Sequence, residues 1–499
     1  MEEPLPPEPR FLHCVETHMS KIKNPIRFSE HFNIPPDALK RLGIFDPILT
    51  ADTPLFIDPL LMEHSNHEEM RAASKSYRSF FEEIMMLLEA VEKKDTSDIA
   101  WKEIQRRMSF HELPGTCLGY GAGNINGSGW GKHITEQVML TASQIVEKGV
   151  KNTDLFMMLG LFEEGIGPDR ISDMVTNIIS PDLVTLNQRI ANEFNLPVEQ
   201  FDFFGGRING NLPRNPFERK RTPIILVPND VLRDLPVALD YEDVIDAAQR
   251  NAALRKRLNS YLGDVWKAAR TRRDKSDLKK SLLTSKEALE AWLDAIRSAP
   301  ASAYDQERDE EGIIRWAEIA NSLAKTAPLK IEKPIDSSIN SLRSVANKII
   351  EQFRWLMENR DLWKEMWLGT KNRTEKTAQR LFFAVASSYC SANKLDITPE
   401  ADTGTGPVDF KFTTGGSQKL LVEIKLSSGT VEHGYTTQLP TYLVAEKADD
   451  GIFIVLDIGK LGKKLEKIQA HRRSLLENKK HACDIVYINC QRRESASKR

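Results

Sequence analysis

Cysteine is scarce in this chain, with five among 499 residues and none in Cys-x-x-Cys spacing. An odd, scattered set argues against a disulfide framework or a zinc ribbon and is typical of a reducing compartment. The chain also lacks an apolar run of about 20 residues, which a membrane helix needs. Its acidic, proline-rich start does not resemble a signal peptide. We therefore expect a cytoplasmic protein with no membrane partner.

Net charge is nearly absent as well. The formal charge is −2, and 40% of the residues are apolar while 28% are charged, which is ordinary for a soluble globular protein. The length predicts about two to four domains. One local excess stands out, since residues 460–499 hold twelve Lys or Arg against four Asp or Glu. This segment could follow a phosphate backbone, or it could be a solvated helix with a basic tail.

Two short segments near the C-terminus have the pattern of paired strands. Residues 406–411 read Gly-Pro-Val-Asp-Phe-Lys, and residues 422–426 read Val-Glu-Ile-Lys-Leu after a Gly-Gly turn. Apolar and polar residues alternate in both, which predicts half-buried strands in a hairpin. Glu423 and Lys425 then share a face, and Asp409 joins them if the register allows. We expect the three side chains on exposed faces of the two strands.

These residue types suggest metal chemistry on a phosphodiester. Two carboxylates with no thiol or imidazole nearby suit Mg²⁺ or Mn²⁺, which prefer oxygen ligands. A bound metal would polarise the phosphate and lower the pKa of an attacking water. Lys425 would hold or deprotonate that water and stabilise the developing charge. The alternative is a solvated strand face with a chance ion pair, because Glu-x-Lys is a common pattern.

The flanking sequence adds elements in a recognisable order. A predicted helix over residues 372–386 carries Glu375 just before the first strand. After the second strand, Gln438 and Tyr442 share a helix face at i and i+4, and Pro440 between them is tolerated only in a first turn. An apolar run that follows reads as a buried strand. The predicted order is helix, strand, hairpin strand, helix, strand.

This order resembles the core of the PD-(D/E)XK nuclease superfamily, the restriction-endonuclease-like fold, over about residues 345–499. The Gln-x-x-x-Tyr motif is similar to that of its helicase-nuclease branch. One departure is that Val408 separates Pro407 from Asp409. The resemblance implies a metal-dependent nuclease with DNA as the expected substrate. The catalytic set that it implies is Asp409, Glu423, Lys425, Glu375, Gln438 and Tyr442. In that set the three acids ligate Mg²⁺ or Mn²⁺, while the Gln and Tyr support the Lys or the nucleic-acid backbone.

The predicted architecture is an α/β C-terminal domain, a mixed sheet flanked by helices, behind a large, mostly α-helical N-terminal region. We predict a recognition or regulatory region over residues 1–240, a charged helical connector over 241–340 and the nuclease domain over 341–499. By analogy with superfamily relatives, a nuclease core behind a long N-terminal region resembles a bacterial restriction or anti-phage defence effector, and we expect a homo-oligomer or a partner protein from the same system. The alternative is a non-catalytic nucleic-acid-binding or protein-interaction scaffold that keeps the fold.

Several N-terminal patterns are weaker. A glycine-rich stretch over residues 119–133 lacks the spacing of a phosphate-binding loop, and Asp169 follows Gly-Pro without a Glu-x-Lys strand behind it. His64 and His67 lack the further ligands of a metal site. Periodicity predicts helices over about 69–94, 134–149 and 155–164, two more that start at 167 and 180, and a buried strand over 222–227.

Overall fold

A computed structural model describes residues 25–111, 113–119, 130–158, 166–203, 208–218, 220–239, 241–268, 275–310, 312–326, 338–393, 396–402, 407–413 and 418–493. The contacts divide these residues between two units. The first unit lies within Lys23–Pro328, Leu356–Val385 and Cys490–Arg499, and the second lies within Leu329–Trp355 and Ala386–Asn489. The predicted domain bounds stay a prediction.

Helices dominate the first unit. Their bounds are Phe28–His31, Pro36–Arg41, Pro59–Met62, Glu68–Glu89, Ile99–Arg107, Lys132–Glu147, Pro168–Ile178, Ser180–Glu193, Tyr241–Arg250, Ala252–Leu262, Val265–Ala268, Lys275–Leu282, Lys286–Ser298 and Arg315–Thr326. The helices Ile339–Asn359 and Glu375–Asn393 each have residues in both units. Short antiparallel pairs join β1 (Phe56–Ile57) to β4 (Leu232–Arg233), β2 (Glu199–Phe203) to β3 (Ile208–Leu212), and β5 (Trp367–Leu368) to β6 (Lys371–Asn372).

The helix Glu68–Glu89 shows how local sequence sets these elements. Its buried side chains, among them Tyr77, Phe81 and Leu88, follow the predicted helical stripe. The helix ends at Glu89 rather than near residue 94. The Asp98 carboxylate accepts the backbone N–H groups of Glu92 and Lys93 as well as that of Trp101 in the next helix. Asp98 therefore fixes the loop after Glu89 and caps the following helix. These bonds compete with an extension of the helix Glu68–Glu89 beyond its end.

Two predicted elements of the first unit are wrong or only partly described. Residues 222–227 are not a strand, although residues 224–227 are buried. Their backbone bonds go to scattered partners, because the Asn187 side chain bonds both the N–H and the carbonyl of Leu226 while Val227 accepts from the Phe45 N–H. The segment predicted as a helix from 155 starts as a 3₁₀ helix, Thr153–Met158, and residues 159–165 lie outside the described residues.

The second unit contains a five-stranded mixed sheet. Its strands are β7 (Asp396–Asp402), β8 (Pro407–Thr413), β9 (Lys419–Leu426), β10 (Asp450–Asp457) and β11 (Asp484–Asn489), in the order β11-β10-β9-β8-β7. The pairs β7–β8 and β8–β9 are antiparallel, and the pairs β9–β10 and β10–β11 are parallel. The prediction of an α/β C-terminal region with a mixed sheet is confirmed. Among the described helices of the whole chain, none combines the length and apolar character of a membrane span.

One face of the sheet is covered by residues 431–446, which we call the covering segment. It consists of a short helix (Val431–His433), a π-helical turn (Gly434–Gln438) and the helix Leu439–Glu446, and the helix Lys464–Glu477 packs beside it. Its Tyr435 and Leu439 join an apolar cluster with Leu421 of β9 and Phe453 of β10. β10 is buried along its whole length, as expected for a strand with two parallel neighbours.

Candidate active site

Asp409, Glu423 and Lys425 are buried, with exposed fractions of 7%, 1% and 8%. The expectation that they lie on exposed strand faces is wrong. Alternation correctly placed Glu423 and Lys425 on one face of β9, but that face is the one that the covering segment shields. Burial also disfavours a solvated ion pair, because buried charges persist only where other groups compensate them.

The strands bring the three groups together. The Lys425 Nζ lies 3.0 Å from the Glu423 Oε1. The Asp409 Oδ2 accepts the backbone N–H of Ile424 at 2.5 Å, so this carboxylate sits against the peptide between the other two residues. The β8–β9 register runs up to the Phe410–Val422 pair, one position before Asp409. Asp409 lies just beyond the last paired residues, and its hydrogen bond to the Ile424 N–H is what shows that it lies beside β9.

The donor set fits a hard divalent cation. Two carboxylates and one ammonium carry a formal charge of −1 in a buried position, and a cation would compensate it. Mg²⁺ and Mn²⁺ favour carboxylate oxygens and retain several waters, so two protein ligands are enough to hold either ion. Asp409 and Glu423 would hold the metal, which would polarise a phosphate group and lower the pKa of a bound water.

Gly434 places the covering segment directly on Lys425. A Cβ atom at Gly434 would lie 3.2 Å from the Lys425 Cγ and 3.1 Å from two ring carbons of Phe453. A side chain at this position would push the Lys425 stem and the Phe453 ring away, so glycine permits the closest approach of the two backbones. The π-helical turn starts at the same residue, and such turns are frequent at functional sites. Sequence reasoning did not single out Gly434, because nothing in the linear pattern marks the strand that it contacts.

The two residues of the Gln-x-x-x-Tyr motif lie in different surroundings. Gln438 ends the π-helical turn, and its amide Oε1 is buried without a hydrogen-bond partner among the described residues. Tyr442 is buried in the apolar cluster against the sheet. Pro440 stands second in the helix Leu439–Glu446, directly after the π-helical turn, which agrees with the expected first-turn position.

Glu375 begins the helix Glu375–Asn393 and is half-buried. It belongs to the first unit, whereas the other five predicted residues belong to the second. Nearby, the Arg373 guanidinium donates to the carbonyls of Arg308 and Asp309, and the Thr377 hydroxyl donates to that of Glu310. The start of this helix is thus held by a loop of its own unit, and the role of Glu375 as a third acid stays a prediction.

A second group of charged side chains links the covering segment to the same sheet. The Glu446 carboxylate pairs with the Lys411 Nζ at 3.1 Å and with the Lys419 Nζ at 3.3 Å. Burial acts to raise the pKa of Glu446, but the hydrogen bonds and charges of the two lysines outweigh it and hold this pKa below its usual value. Sequence reasoning missed this group, although the position of Lys411 two residues after Asp409 was a signal that both share a face.

Several residues of the basic C-terminal segment already have partners within the unit. The Lys464 Nζ donates to the carbonyls of Ser427 and Gly429, Lys467 pairs with Glu432, and Arg472 pairs with Asp484. Residues 494–499 lie outside the described part of the chain, as do residues 120–129 of the glycine-rich stretch. Some of the positive charge of this segment is therefore already used in bonds within the unit.

Two domain families of unknown function match the chain. Residues 33–240 match the domain of unknown function DUF8370, and residues 342–460 match the domain of unknown function DUF8371. All six predicted catalytic residues fall within the second match. No curated protein and no solved structure matches the chain. Each family match covers less than half of the chain, and each leaves the function of its region open.

Proposed function

We propose that this protein is a Mg²⁺- or Mn²⁺-dependent nuclease that hydrolyses phosphodiester bonds, with DNA as its substrate. The observation that carries the proposal is the buried group of Asp409, Glu423 and Lys425 on two neighbouring strands of a mixed sheet. Two carboxylates and one ammonium give this group a formal charge of −1, which a bound divalent cation would offset. The sheet order is also compatible with the resemblance to the PD-(D/E)XK core.

Each residue has a distinct part in the proposed reaction. Asp409 and Glu423 would hold the metal, and the Lys425 ammonium positions the attacking water and stabilises the transition state by its charge. A Lys425 that has first lost its proton could instead act as the base that deprotonates the water. Glu423 keeps the Lys425 ammonium within the site through their ion pair. Gln438 offers a buried carbonyl oxygen that can accept a hydrogen bond from the water or the lysine, and Tyr442 anchors its helix on the sheet. The role of Glu375 as a third acid stays a prediction of the resemblance, because this residue belongs to the other unit.

Isosteric variants of the full chain test this proposal. Plasmid, linear DNA, single-stranded DNA and RNA are each incubated with Mg²⁺, with Mn²⁺ and with EDTA. We expect cleavage of DNA with either metal, and a loss on the order of 10²-fold or more in Asp409→Asn and Glu423→Gln. The matched control is Glu477→Gln, which changes an exposed residue at the end of a helix and should cleave as the parent does.

Three outcomes would overturn the proposal. Full activity in EDTA would show that the reaction needs no metal. Parental activity in Asp409→Asn would show that the site is assigned to the wrong residues. DNA binding that is equally strong with and without chelator, together with no cleavage under any condition, would favour the non-catalytic scaffold. Cleavage of RNA alone would support metal-dependent phosphodiester hydrolysis but contradict DNA as the substrate.

We place this nuclease among restriction or anti-phage defence effectors, where a homo-oligomer or a partner protein of the same system would act with it. The basis is the resemblance of a nuclease core behind a long N-terminal region. Expression in a bacterium challenged with phage tests this role, and protection should be lost in Glu423→Gln and kept in Glu477→Gln.

A further inference from the structure

A second group of ligand-type side chains lies in the second unit, away from the acids on β8 and β9. Asp450, His481 and Cys483 each offer a ligand atom, and these atoms all lie within 4.8 Å of one another. Asp450 begins β10 opposite Leu420, whereas Phe453, further along β10, lies opposite Glu423. Three residues of extended chain separate the two positions, a distance of about 10 Å at 3.3 Å per residue.

From this geometry we propose a transition-metal site, with Zn²⁺ as the fitting ion, formed by Asp450, His481 and Cys483. It is independent of the proposed nuclease reaction and is not one of its catalytic metals. A carboxylate, an imidazole and a thiolate are ligands of tetrahedral zinc, whereas Mg²⁺ avoids sulfur. Three protein ligands leave a fourth position for water.

One ligand-atom distance is already close to that of tetrahedral coordination, and the other two lie within 4.8 Å. The His481 Nε2 lies 3.1 Å from the Asp450 Oδ1. Two ligands bound at 2.0–2.1 Å at a tetrahedral angle stand about 3.3 Å apart, and a nitrogen and a sulfur about 3.6 Å apart. Because His481 is exposed, its ring can adjust to close the remaining distance, while the buried Asp450 and Cys483 supply fixed positions.

The groups around the cluster act as an outer shell. The Asp450 carboxylate is held by the Arg343 guanidinium and by the Gly451 N–H, and Arg343 also pairs with Asp484. Such bonds orient metal-binding carboxylates. The Cys483 carbonyl accepts from the Tyr435 hydroxyl at 2.8 Å, which ties the cluster to the covering segment.

Charge balance permits a metal there. Arg343 and Arg472 are matched by Asp450 and Asp484, which gives a formal charge of zero before the metal binds. A cysteine ligates zinc as its thiolate, so Cys483 must release a proton to the solvent when it binds the metal. Zn²⁺ with one thiolate then leaves +1 beside the exposed His481, where solvent or a hydroxide ligand can balance it.

Cobalt spectroscopy on the full chain tests the site, because Co²⁺ occupies zinc sites and gives a thiolate charge-transfer band. The protein is stripped with chelator and titrated with Co²⁺, and Zn²⁺ is then added in competition. We expect the band to form, Zn²⁺ to abolish it, and Cys483→Ser to lack it. In His481→Ala the affinity should fall by at least the 10- to 100-fold that loss of an outer-shell partner costs.

His64→Ala is the matched control, since His64 is an exposed histidine in the other unit. It should leave the titration unchanged, as should Asp409→Asn, which separates this site from the proposed Mg²⁺ site. The proposal is overturned if the parent gives no thiolate band, if the band survives Cys483→Ser, or if His481→Ala binds as tightly as the parent. Because His481 is exposed, its variant reports on binding even if Cys483→Ser fails to fold.

Discussion

Glu423 and Lys425 depend on each other, because both are buried and lie 3.0 Å apart. In Lys425→Met the Glu423 carboxylate remains buried without its ammonium partner. We expect the free energy of unfolding to fall by about 3–5 kcal/mol, the usual cost of breaking a buried ion pair. Urea denaturation of the parent and variant in EDTA measures this cost without a contribution from bound metal.

The matched control for this prediction is Lys467→Met, which breaks an exposed pair with Glu432 and should cost no more than about 1 kcal/mol. The double variant Glu423→Gln/Lys425→Met should recover part of the loss, since the Glu423 charge is then no longer left without its ammonium partner. A Lys425→Met variant as stable as Lys467→Met would mean that the pair is not buried as described.

Glu446 gives a prediction about pH. Its pKa is lowered below the usual 4.5 in the folded protein, so its ionised form favours the folded state above pH 4.5. This contribution is lost as the pH falls from 4.5 through the lowered folded value. Glu446→Gln should therefore be less stable than the parent at pH 7, by about 1–3 kcal/mol for bonds to charged groups. The difference should shrink at acid pH, and a gap that stays constant from pH 7 to pH 3 would contradict the assignment.

At the scale of elements, the π-helical turn sets how closely the covering segment approaches β9. In Gly434→Ala the new methyl group would meet the Lys425 stem and the Phe453 ring at 3.1–3.2 Å, so these side chains must shift by a few tenths of an ångström. We expect the variant to fold but to cleave more slowly, by roughly 10-fold, because Lys425 moves. Gly434→Val should lower both the stability and the cleavage rate further.

Gly131→Ala is the matched control for that variant, since a Cβ there meets nothing within 4 Å. Circular dichroism and a cleavage assay separate the two effects. Equal activity in Gly434→Ala and Gly131→Ala would show that the contact with Lys425 does not position the lysine.

The elements also show what sequence could and could not predict. Alternation on β9 correctly placed Glu423 and Lys425 on one face, because side chains on a strand alternate strictly between faces. It left the position of Asp409 to the pairing of β8 with β9. It could not show that this face is covered, since burial depends on the covering segment, which lies later in the chain. The prediction of a strand over residues 222–227 failed for a related reason. Residues 224–227 are as buried as a central strand, but their backbone groups bond to scattered partners instead of a neighbouring strand.

At the scale of the whole molecule, the proposed metal should act as a stabilising ligand. Ligand at 100 times its dissociation constant adds about 2.7 kcal/mol to the free energy of unfolding. We expect Mg²⁺, Mn²⁺ and Ca²⁺ to raise the thermal midpoint, with Ca²⁺ supporting little turnover because its geometry is less demanding. The rise should disappear in Asp409→Asn and persist in Glu477→Gln. An equal rise in both variants would mean that the metal binds elsewhere.

The interleaving of the two units along the chain has a consequence for synthesis on the ribosome. The first unit includes Leu356–Val385, which is translated after Leu329–Trp355 of the second. From residue 328 to residue 385 the ribosome adds 57 residues, which takes roughly 3–11 s at about 5–20 residues per second. During that interval the N-terminal block lacks part of its own packing and should depend on chaperones. A chain that stops at residue 355 should accordingly be more sensitive to protease than one that stops at residue 385.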